Sequence, residues 1–486
     1  MLVRGLHCPP STHCRSHSAI LLVLSAALSA CTSPPPELAL DVSQPEGWAD
    51  DLALQLPVDV NPDPDIVEIE LDARLADIEF LPGMATSAWT YGGTVPGPLI
   101  RAKVGDRVIV NFTNHLTEGT SIHWHGMQVP NEMDGVPGVT QDPVAPGDSF
   151  RYEFVVPDAG TFWYHPHINS SAQVGWGMYG PIVVEDPQDP AVFGDDLVLV
   201  LSDISLTDIG EFLPADNGGE FGDLFGREGT MLLVNGRVRP TLKARVGKPQ
   251  RWRIINTARA RYYNIRMPDH ALTRLGGDNG LAAQSQEIYS AVVVPGERAD
   301  LVFTAQGEPG SSDVLEWVPV DRGFSSTFNR SREPMLQLEI VDLPPVTPAP
   351  IPIELRSIEA IDLAGAVEKT LDMTIDTDSQ NQIVMGINGI PYWDVVPIEA
   401  RIGETHIWHL TNATSFAHPF HLHGYYFQVL DDTRTPEWKD TVDLPAESEL
   451  SIAVRFEERS GTWMYHCHIL DHAESGMMGL VRVAAE

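Results

Sequence analysis

The stretch IRAKVGDRVIVNFTN, residues 100–114, carries the pattern from which we predict the fold. It contains a basic residue, a Val-Gly turn at Gly105, and an alternating run of side chains that closes on Asn114. Alternation with a period of two is typical of a β-strand that has one buried face. The stretch therefore predicts a tight turn that leads into a strand.

Two further copies of this pattern lie downstream, LKARVGKPQRWRIIN at residues 242–256 and IEARIGETHIWHLTN at residues 398–412. Copies spaced by roughly 140 to 155 residues indicate three versions of one domain. Short apolar runs broken by Gly, Pro, Asn and Asp favour β-sandwiches or barrels over alternating strands and helices. We predict an all-β chain with domains at residues 65–186, 187–343 and 350–486; the proline-rich stretch LPPVTPAPIPIE, from residue 343, marks the last boundary.

Charge excludes one class of partner. The chain has 486 residues, with 67 acidic against 31 basic side chains and a formal net charge of −36. Binding to nucleic acid requires clustered Lys and Arg, so we expect no nucleic acid partner. An acidic surface keeps a protein soluble and attracts cations, but it does not specify a reaction.

Residues 1–30 are predicted to be an export signal. Arg4 and Arg15 supply positive charge, and the apolar run of residues 19–28 is too short to span a membrane as a mature helix. The run ends in LSAC at residues 28–31, which resembles the lipobox of bacterial lipoproteins. That resemblance implies a lipid on Cys31. An ordinary cleaved signal with an incidental cysteine is the alternative.

Residues 31–64 are rich in proline and acid and predict a tether between the lipid anchor and the fold. We therefore expect an exported protein of the cell envelope or periplasm that touches a membrane only through its lipid anchor. Cys8 and Cys14 would leave with the signal, so Cys467 is the one free thiol of the mature chain. An exported domain with a single thiol has no internal disulfide framework.

Paired histidines give the strongest functional signal. In a strand, residues i and i+2 project to the same face, so a His-x-His pair offers two imidazoles side by side. Neutral imidazole is a common ligand of copper and other transition metals. One such pair is often structural, whereas four together indicate a metal centre. The four pairs are His123/His125, His165/His167, His421/His423 and His466/His468.

Strand alternation divides the C-terminal motifs into two faces. Cys467 points away from its neighbours His466 and His468, and His418 has the opposite parity to His421. One face therefore presents paired histidines, and the other presents a histidine and a thiol. The eight paired histidines are available for a separate multinuclear site.

The second face predicts a blue copper site. His472 follows Cys467 after a short ILDH continuation, and Met477 lies five residues further on. Two histidines, a thiolate and a weak methionine form a trigonal copper site suited to one-electron transfer. Electrons would cross from Cys467 through the adjacent backbone to the paired histidines on either side of it.

The motifs HWHG, HPH, HPFHLHG and HCHILDH resemble those of the three-domain multicopper oxidases, the laccase and cuprous-oxidase family. The resemblance covers residues 65–486. It implies three cupredoxin-like Greek-key β-sandwich domains, with a type 1 copper in the third and a three-copper cluster between the first and third. It also implies four copper ions, one of type 1, one of type 2 and two of type 3.

The resemblance further implies a partition of the ligands, carried over by motif position. Met478 is the rival of Met477 for the axial position of the type 1 copper. His115, His270, His406 and His409 are interpreted as structural. The implied ligands are His418, Cys467, His472 and Met477 for type 1, His123 and His421 for type 2, His125, His165 and His468 for one type 3 ion, and His167, His423 and His466 for the other.

The family takes four single electrons from a reducing substrate and reduces dioxygen to two waters, a reaction that consumes protons. Asp134, in NEMDGVPG, matches the acid that the family places by the cluster, and a simple Asp-Gly turn is its alternative. Many bacterial members carry a second acid directly after the last type 1 histidine. Here Ala473 takes that position, with Glu474 next and Asp471 one residue before His472, so the second proton donor stays open.

The electron donor is the least determined feature. The 13 methionines are scattered, without the methionine-rich insertion of many cuprous oxidases, which favours a laccase-like oxidase of phenols or aromatic amines. A metallo-oxidase acting on Cu(I) or Fe(II) in copper tolerance is the alternative. A non-enzymatic envelope scaffold is a remote one, because the ligand set is complete. We expect electrons to enter through the exposed edge of a type 1 histidine.

Overall fold

The computed structural model describes residues 52–190, 195–323, 330–348, 350–377, 383–431 and 435–485. The predicted signal, Cys31 and most of the predicted tether lie outside these residues. Across the described ranges the secondary structure consists of β-strands, three short α-helices and two 3-10 turns, at Asn131–Met133 and Tyr392–Asp394. None of the described helices is long and apolar enough to cross a membrane.

The first pair of sheets has the strand orders β2-β1-β4-β6 and β3-β8-β7-β5. Apolar side chains such as Leu71 and Val110 from one sheet pack against Ile182 from the other. The elements are β1 Ile66–Leu81, β2 Met84–Tyr91, β3 Ile100–Lys103, β4 Arg107–Asn114, β5 His123–His125, β6 Ser149–Val155, β7 Gly160–His165, α1 Ser170–Gly175 and β8 Gly180–Glu185.

The middle pair has the orders β10-β9-β12-β17-β14-β15 and β11-β19-β18-β13-β16. Trp252 and Leu301 of the first of these sheets share a core with Leu338 of the second. The elements are β9 Asp195–Ile204, α2 Gly219–Phe225, β10 Met231–Val234, β11 Thr241–Ala244, β12 Pro249–Asn256, β13 Tyr263–Arg266, β14 Leu272–Gly277, β15 Gly280–Ile288, β16 Ala291–Val293, β17 Arg298–Thr304, β18 Ser312–Val318 and β19 Glu333–Ile340.

The third pair has the orders β21-β20-β23-β27-β25 and β22-β29-β28-β24-β26. Its core includes Trp408 from the first sheet and Phe420 and Trp463 from the second. The elements are β20 Val367–Thr377, β21 Ile383–Ile387, β22 Ile398–Arg401, β23 Thr405–Asn412, β24 His418–Leu422, β25 Phe427–Val429, β26 Thr441–Leu444, β27 Ser448–Arg455, β28 Gly461–Cys467, α3 Leu470–Glu474 and β29 Met478–Ala484.

Each copy of the repeated sequence crosses from one sheet of its pair to the other. The crossings run from β3 to β4, from β11 to β12 and from β22 to β23. The turn between the strands has positive φ at Gly105, Gly247 and Gly403, with values of 94°, 79° and 87°. Glycine adopts such a conformation without steric cost, which explains why every copy has it there.

The asparagine that closes each copy is buried and makes the same hydrogen bonds in all three sheet pairs. Asn114 donates through Nδ2 to the carbonyl oxygens of Glu118 and Val144, and its Oδ1 accepts from the N–H of Leu116. Asn256 and Asn412 repeat this arrangement. These amides connect the end of the crossing strand to the loop that follows it, so the repeated asparagine has a structural role in each sheet pair.

Candidate metal centre

Strand pairing brings the histidine motifs together two by two. His123 on β5 lies opposite His165 on β7, and His421 on β24 lies opposite His466 on β28. The rings of the first and third sheet pairs then meet, since those of His125 and His421 stack with centroids 3.8 Å apart. We call this group the histidine cluster. Its members are His123, His125, His165, His167, His421, His423, His466 and His468.

Within the cluster, six rings carry a buried nitrogen that has no hydrogen-bond partner among the described residues. Buried polar atoms are normally paired, and leaving one unpaired costs free energy. The nitrogens lie on rings whose other nitrogen is in several cases held by a protein oxygen, as in metal-binding histidines. This set therefore fits metal ions. The unpartnered atoms are Nε2 of His123, His165, His167 and His421, Nδ1 of His125, and both ring nitrogens of His468.

Ring protonation is strongly disfavoured. Burial, together with the neighbouring rings, lowers the pKa of His466 to about 3. The same two causes, burial first, hold the pKa of five other rings well below the usual range. A neutral imidazole is the form that binds metal, so these rings are already in the protonation state that a metal ion requires. The five rings are His125, His165, His167, His423 and His468.

Several subsets of the cluster could each hold one ion. His167, His423 and His466 offer ligand atoms that all lie within 4.8 Å of one another, and the structure thus brings one predicted type 3 set together. The other predicted type 3 set does not form such a group, although the ring centroids of His125, His165 and His468 are 4.8 to 5.8 Å apart. Two further groups combine residues of different predicted sets: His123 with His421 and His423, and His123 with His125 and His165. The centroids of His123 and His421, the predicted type 2 pair, are 6.1 Å apart.

Asp134 contacts two rings of the cluster. Its Oδ2 lies 3.0 Å from Nδ1 of His423, and its main-chain oxygen lies 2.8 Å from Nδ1 of His123. The carboxyl group is buried. Asp134 also ends the 3-10 turn, and Gly135 after it leaves no room for a Cβ beside the carbonyl of Ile122. The Asp-Gly turn is therefore present, and it directs the carboxylate at the cluster, so the turn does not exclude the functional interpretation.

A second acid at the cluster was missed by the sequence analysis. Oδ1 of Asp440 lies 3.3 Å from Nε2 of His125, and its carbonyl oxygen lies 2.9 Å from Nδ1 of His421. Burial alone would raise the pKa of Asp440, but Arg298 and the histidine hydrogen bonds hold that pKa well below the usual range. The available signal was positional, since Thr441 pairs with His421 across β24 and β26.

A second group, which we call the cysteine pocket, consists of His418, Cys467 and His472. Sγ of Cys467 lies 3.5 Å from Nδ1 of His418 and 3.6 Å from Nδ1 of His472, and the two nitrogens are 3.1 Å apart. The Nε2 atoms face outward, to the Thr414 hydroxyl at 2.9 Å and the Leu224 carbonyl at 3.1 Å. Both rings therefore present Nδ1 to the thiol.

The two candidate axial methionines differ in burial and direction. Met477 is fully buried in the same apolar core as Cys467, and its carbonyl oxygen accepts a hydrogen bond from the Cys467 N–H at 3.1 Å. Met478 is partly exposed and pairs with His466 across β28 and β29. Since paired residues share a face, Met478 lies on the side of the histidine cluster. Burial raises the pKa of the Cys467 thiol.

The prediction that one histidine of the cysteine pocket has an exposed edge is wrong for this structure. His472 is only 1% exposed, and His418 is fully buried. The last turn of α2, from the middle sheet pair, covers His472 through the Leu224 carbonyl. Arg322 secures this cover because its Nη2 donates to the carbonyl of Phe225 at 2.9 Å.

The two acids near His472, Asp471 and Glu474, form hydrogen bonds with residues of the other sheet pairs. The buried Asp471 carboxylate accepts hydrogen bonds from the guanidinium groups of Arg227 and Arg259 and from the Ser171 hydroxyl. Glu474, which is exposed, accepts from the Ser171 N–H at 3.0 Å. Both carboxylates thus have partners away from the histidine cluster.

The histidines interpreted as structural lie outside the groups that could hold metal among the described residues. His115 is exposed. The remaining three have protein partners: His270 with Asp313, His406 with Glu404, and His409 with Ser451.

Comparison with known families matches most of the described chain to one family. Three family models, each described as multicopper oxidase, match residues 73–189, 196–312 and 363–486. The chain is 32% identical over 434 residues to the multicopper oxidase MmcO of Mycobacterium tuberculosis, covering 82% of this chain and 83% of that protein. It is 30% identical over 467 residues to a laccase of Pycnoporus cinnabarinus, covering 81% and 85%.

Solved structures of multicopper oxidases have the same fold as this chain. A multicopper oxidase from Campylobacter jejuni, described as a metallo-oxidase, superposes with a TM-score of 0.79 at 27% identity, over 89% of this chain and 94% of that one. A multicopper oxidase from Pseudomonas thermotolerans gives a TM-score of 0.75 at 32% identity, over 86% and 99%. The predicted all-β fold of cupredoxin-like sandwiches is confirmed.

Proposed function

This chain belongs to the multicopper oxidase family, and on that premise we propose that it is a laccase-like enzyme acting on phenols or aromatic amines. As a member of the family it is an oxidoreductase with dioxygen as acceptor. The observation that supports an oxidase is the complete pair of sites, the histidine cluster and the cysteine pocket, which Cys467 joins through its own peptide bonds to His466 and His468. The organic donor is favoured because the 13 methionines are scattered along the chain and form no methionine-rich insertion.

The family implies copper, and the donor sets fit it. Bound copper would supply one-electron redox chemistry at the cysteine pocket and the reduction of dioxygen to water at the cluster. We propose one type 1, one type 2 and two type 3 ions. This number comes from the family, and the unpartnered buried nitrogens and the inward Nδ1 atoms supply donor atoms that fit metal ions. The proposed ligands are His418, Cys467, His472 and Met477 for type 1, His123 and His421 for type 2, His125, His165 and His468 for one type 3 ion, and His167, His423 and His466 for the other.

Asp134 has two tasks in this proposal. It holds the Nδ1 atoms of His123 and His423, which leaves their Nε2 atoms directed into the cluster. It also places a carboxylate at the site where dioxygen reduction consumes protons. Asp440 contacts two other rings on the opposite side, so the cluster has an acid on each flank.

One observation favours a second candidate function, oxidation of Cu(I) or Fe(II). His472 lies beneath α2, so a phenol cannot contact its ring directly. A small cation needs less room, and one structural neighbour is described as a metallo-oxidase. The non-enzymatic scaffold remains disfavoured because the ligand set is complete.

Donor specificity tests both candidates. Copper-loaded protein is assayed for oxygen consumption with a phenol, an aromatic amine, Cu(I) and Fe(II), with and without added Cu(II), and Cys467→Ser is the control for background oxidation. We expect the organic donors to have the higher kcat/KM and to need no added Cu(II). Faster turnover of Cu(I) or Fe(II), or phenol oxidation only with added Cu(II), would support the metallo-oxidase instead.

We also propose export and lipid anchoring, from the signal at residues 1–30 and the LSAC stretch. Cys31→Ala should move the protein from the membrane fraction to the soluble one in the producing cell. Cys14→Ala is the matched control, because that cysteine would leave with the signal. Equal membrane retention of both variants would refute the anchor.

A further inference from the structure

The middle sheet pair supplies none of the proposed copper ligands, yet one of its turns forms a wall of the histidine cluster. Gly296, which has a φ of 86°, packs directly against the rings. A Cβ at this position would stand 2.8 Å from the ring of His468 and 3.0 Å from that of His125. The absence of a side chain lets the turn approach the cluster.

Arg298, two residues further along at the start of β17, is buried and joins all three sheet pairs. Its Nε donates to the carbonyl of Thr161 at 2.9 Å, and its Nη atoms donate to the carbonyls of Gly296 and Asp278 at 2.9 and 2.8 Å. The two remaining N–H groups bind both carboxylate oxygens of Asp440, with Nη1 2.8 Å from Oδ1. All five guanidinium donors are thus used, two of them in a bidentate pair.

Asp440 passes this constraint to two rings. Its Oδ1 lies beside Nε2 of His125, and its carbonyl oxygen lies beside Nδ1 of His421. A ring nitrogen that donates a proton to an oxygen leaves the other ring nitrogen bare for a metal. Nδ1 of His125 and Nε2 of His421 are the buried nitrogens without a partner. The Thr441 hydroxyl lies beside the same two nitrogens as Asp440, 3.3 Å from Nε2 of His125 and 3.2 Å from Nδ1 of His421. Asp440 and the adjacent Thr441 hydroxyl, which donates to Oδ1 of Asp440, therefore together select which nitrogen each ring presents.

Asp440 could itself be considered a ligand, because His125, His421 and Asp440 also form a group with ligand atoms within 4.8 Å. The hydrogen bonds argue against this. Arg298 engages both carboxylate oxygens, and the Thr441 hydroxyl donates to Oδ1 as well, at 2.8 Å. Both carboxylate oxygens thus already accept hydrogen bonds from protein donors, which fits a positioning role.

We propose that Arg298 is a positioning residue of the oxygen-reducing site, which acts through Asp440 to fix the rings of His125 and His421. The inference rests on the proposed function, since it assigns a task toward the copper ions of the cluster. Through Arg298, the middle sheet pair would help to fix the geometry of a site whose proposed ligands all come from the other two sheet pairs.

Arg298→Lys is the decisive variant because lysine keeps the charge and loses the planar fork. Arg251→Lys is the matched control. Arg251 is equally buried in the same sheet pair, and its guanidinium also binds a buried carboxylate through two nitrogens, that of Asp300. The measurements are the thermal midpoint of the metal-free protein, copper retained per chain after dialysis against a chelator, the blue absorption, and the type 2 signal in electron paramagnetic resonance.

Both variants should lower the thermal midpoint, and both should keep the blue absorption. Only Arg298→Lys should retain cluster copper about 10- to 100-fold more weakly and show an altered type 2 signal, as expected when a group behind a metal ligand is lost. Asp440→Asn should reproduce these changes, and it decides the question if Arg298→Lys does not fold.

A wild-type type 2 signal and normal copper retention in Arg298→Lys, or in Asp440→Asn, would overturn the inference and leave the proposed function standing. So would an equal loss in Arg251→Lys, because the effect would then follow from any buried arginine. A wild-type protein with no type 2 signal after copper loading would overturn the proposed function, and this inference with it.

Discussion

The histidine cluster and the cysteine pocket are built from adjacent residues of one strand, yet their surroundings differ in kind. Each flank of the cluster has a buried carboxylate, Asp134 on one side and Asp440 on the other. The outward nitrogens of the cysteine pocket are held instead by a hydroxyl and a backbone carbonyl, from Thr414 and Leu224. Ring nitrogens of the histidine cluster thus face carboxylates, whereas the outward ring nitrogens of the cysteine pocket face neutral groups.

This difference matches what each site is proposed to do. Reduction of dioxygen takes up protons, so carboxylates beside the cluster can both orient rings and take part in proton supply. Transfer of single electrons needs no proton, and a neutral, dry shell of hydrogen bonds favours a fixed geometry there. The comparison predicts that changes in one region leave the other largely intact.

The largest effect is expected from Cys467→Ser. A hydroxyl cannot replace the thiolate that a blue copper site requires, so the intense blue absorption of the copper-loaded protein should disappear, and turnover with it. The histidine cluster should still retain its copper, because its ligands are unchanged. Absorption spectra and copper content per chain test this. A variant that stays blue would disprove the assignment of the cysteine pocket.

Asp134→Asn should affect the opposite region. We expect turnover to fall by about 10- to 100-fold, as is usual when a group that orients metal ligands is replaced. The blue centre should be reduced anaerobically at the wild-type rate, which is measured in a stopped-flow instrument as the loss of the blue absorption. Unchanged turnover would remove Asp134 from the reaction.

Asp203→Asn controls for the loss of a buried charge, because Asp203 is also buried and binds Arg261 in the middle sheet pair. It should lower the thermal midpoint without separating the two rates. If Asp203→Asn slowed turnover as much as Asp134→Asn, the effect would be one of stability alone.

The sequence was sufficient where the determinants are local. The turn glycines, the strand alternation and the His-x-His spacing depend on neighbours a few residues apart. They predicted the strands and the residues that the structure brings together in the histidine cluster and the cysteine pocket. The sequence pattern placed Asn114 at the end of a strand, but it did not predict the hydrogen bonds that the side chain makes. Its hydrogen bonds to Glu118 and Val144 depend on how the loops close.

The contacts that the sequence could not predict span the chain. Leu224 covers a ring 248 residues away, and Asp440 faces a ring 315 residues before it in the sequence. Nothing in the local pattern of either segment indicates a metal site. Such contacts follow from the packing of three sheet pairs, and they are the features that distinguish the two regions.

The smallest effect is expected at the axial position, where the comparison is sharpest because two adjacent methionines face different regions. Met477→Leu conserves volume in the core, so stability should change by less than about 1.5 kcal/mol, but the lost thioether should raise the reduction potential of the blue centre. Met478→Leu, beside His466 on the cluster side, is the matched control and should leave that potential unchanged. Redox titration of the blue absorption measures both variants. A shift of the reduction potential in Met478→Leu alone would identify Met478 as the axial ligand. It would also contradict the side of the sheet that the β28–β29 register gives to its side chain.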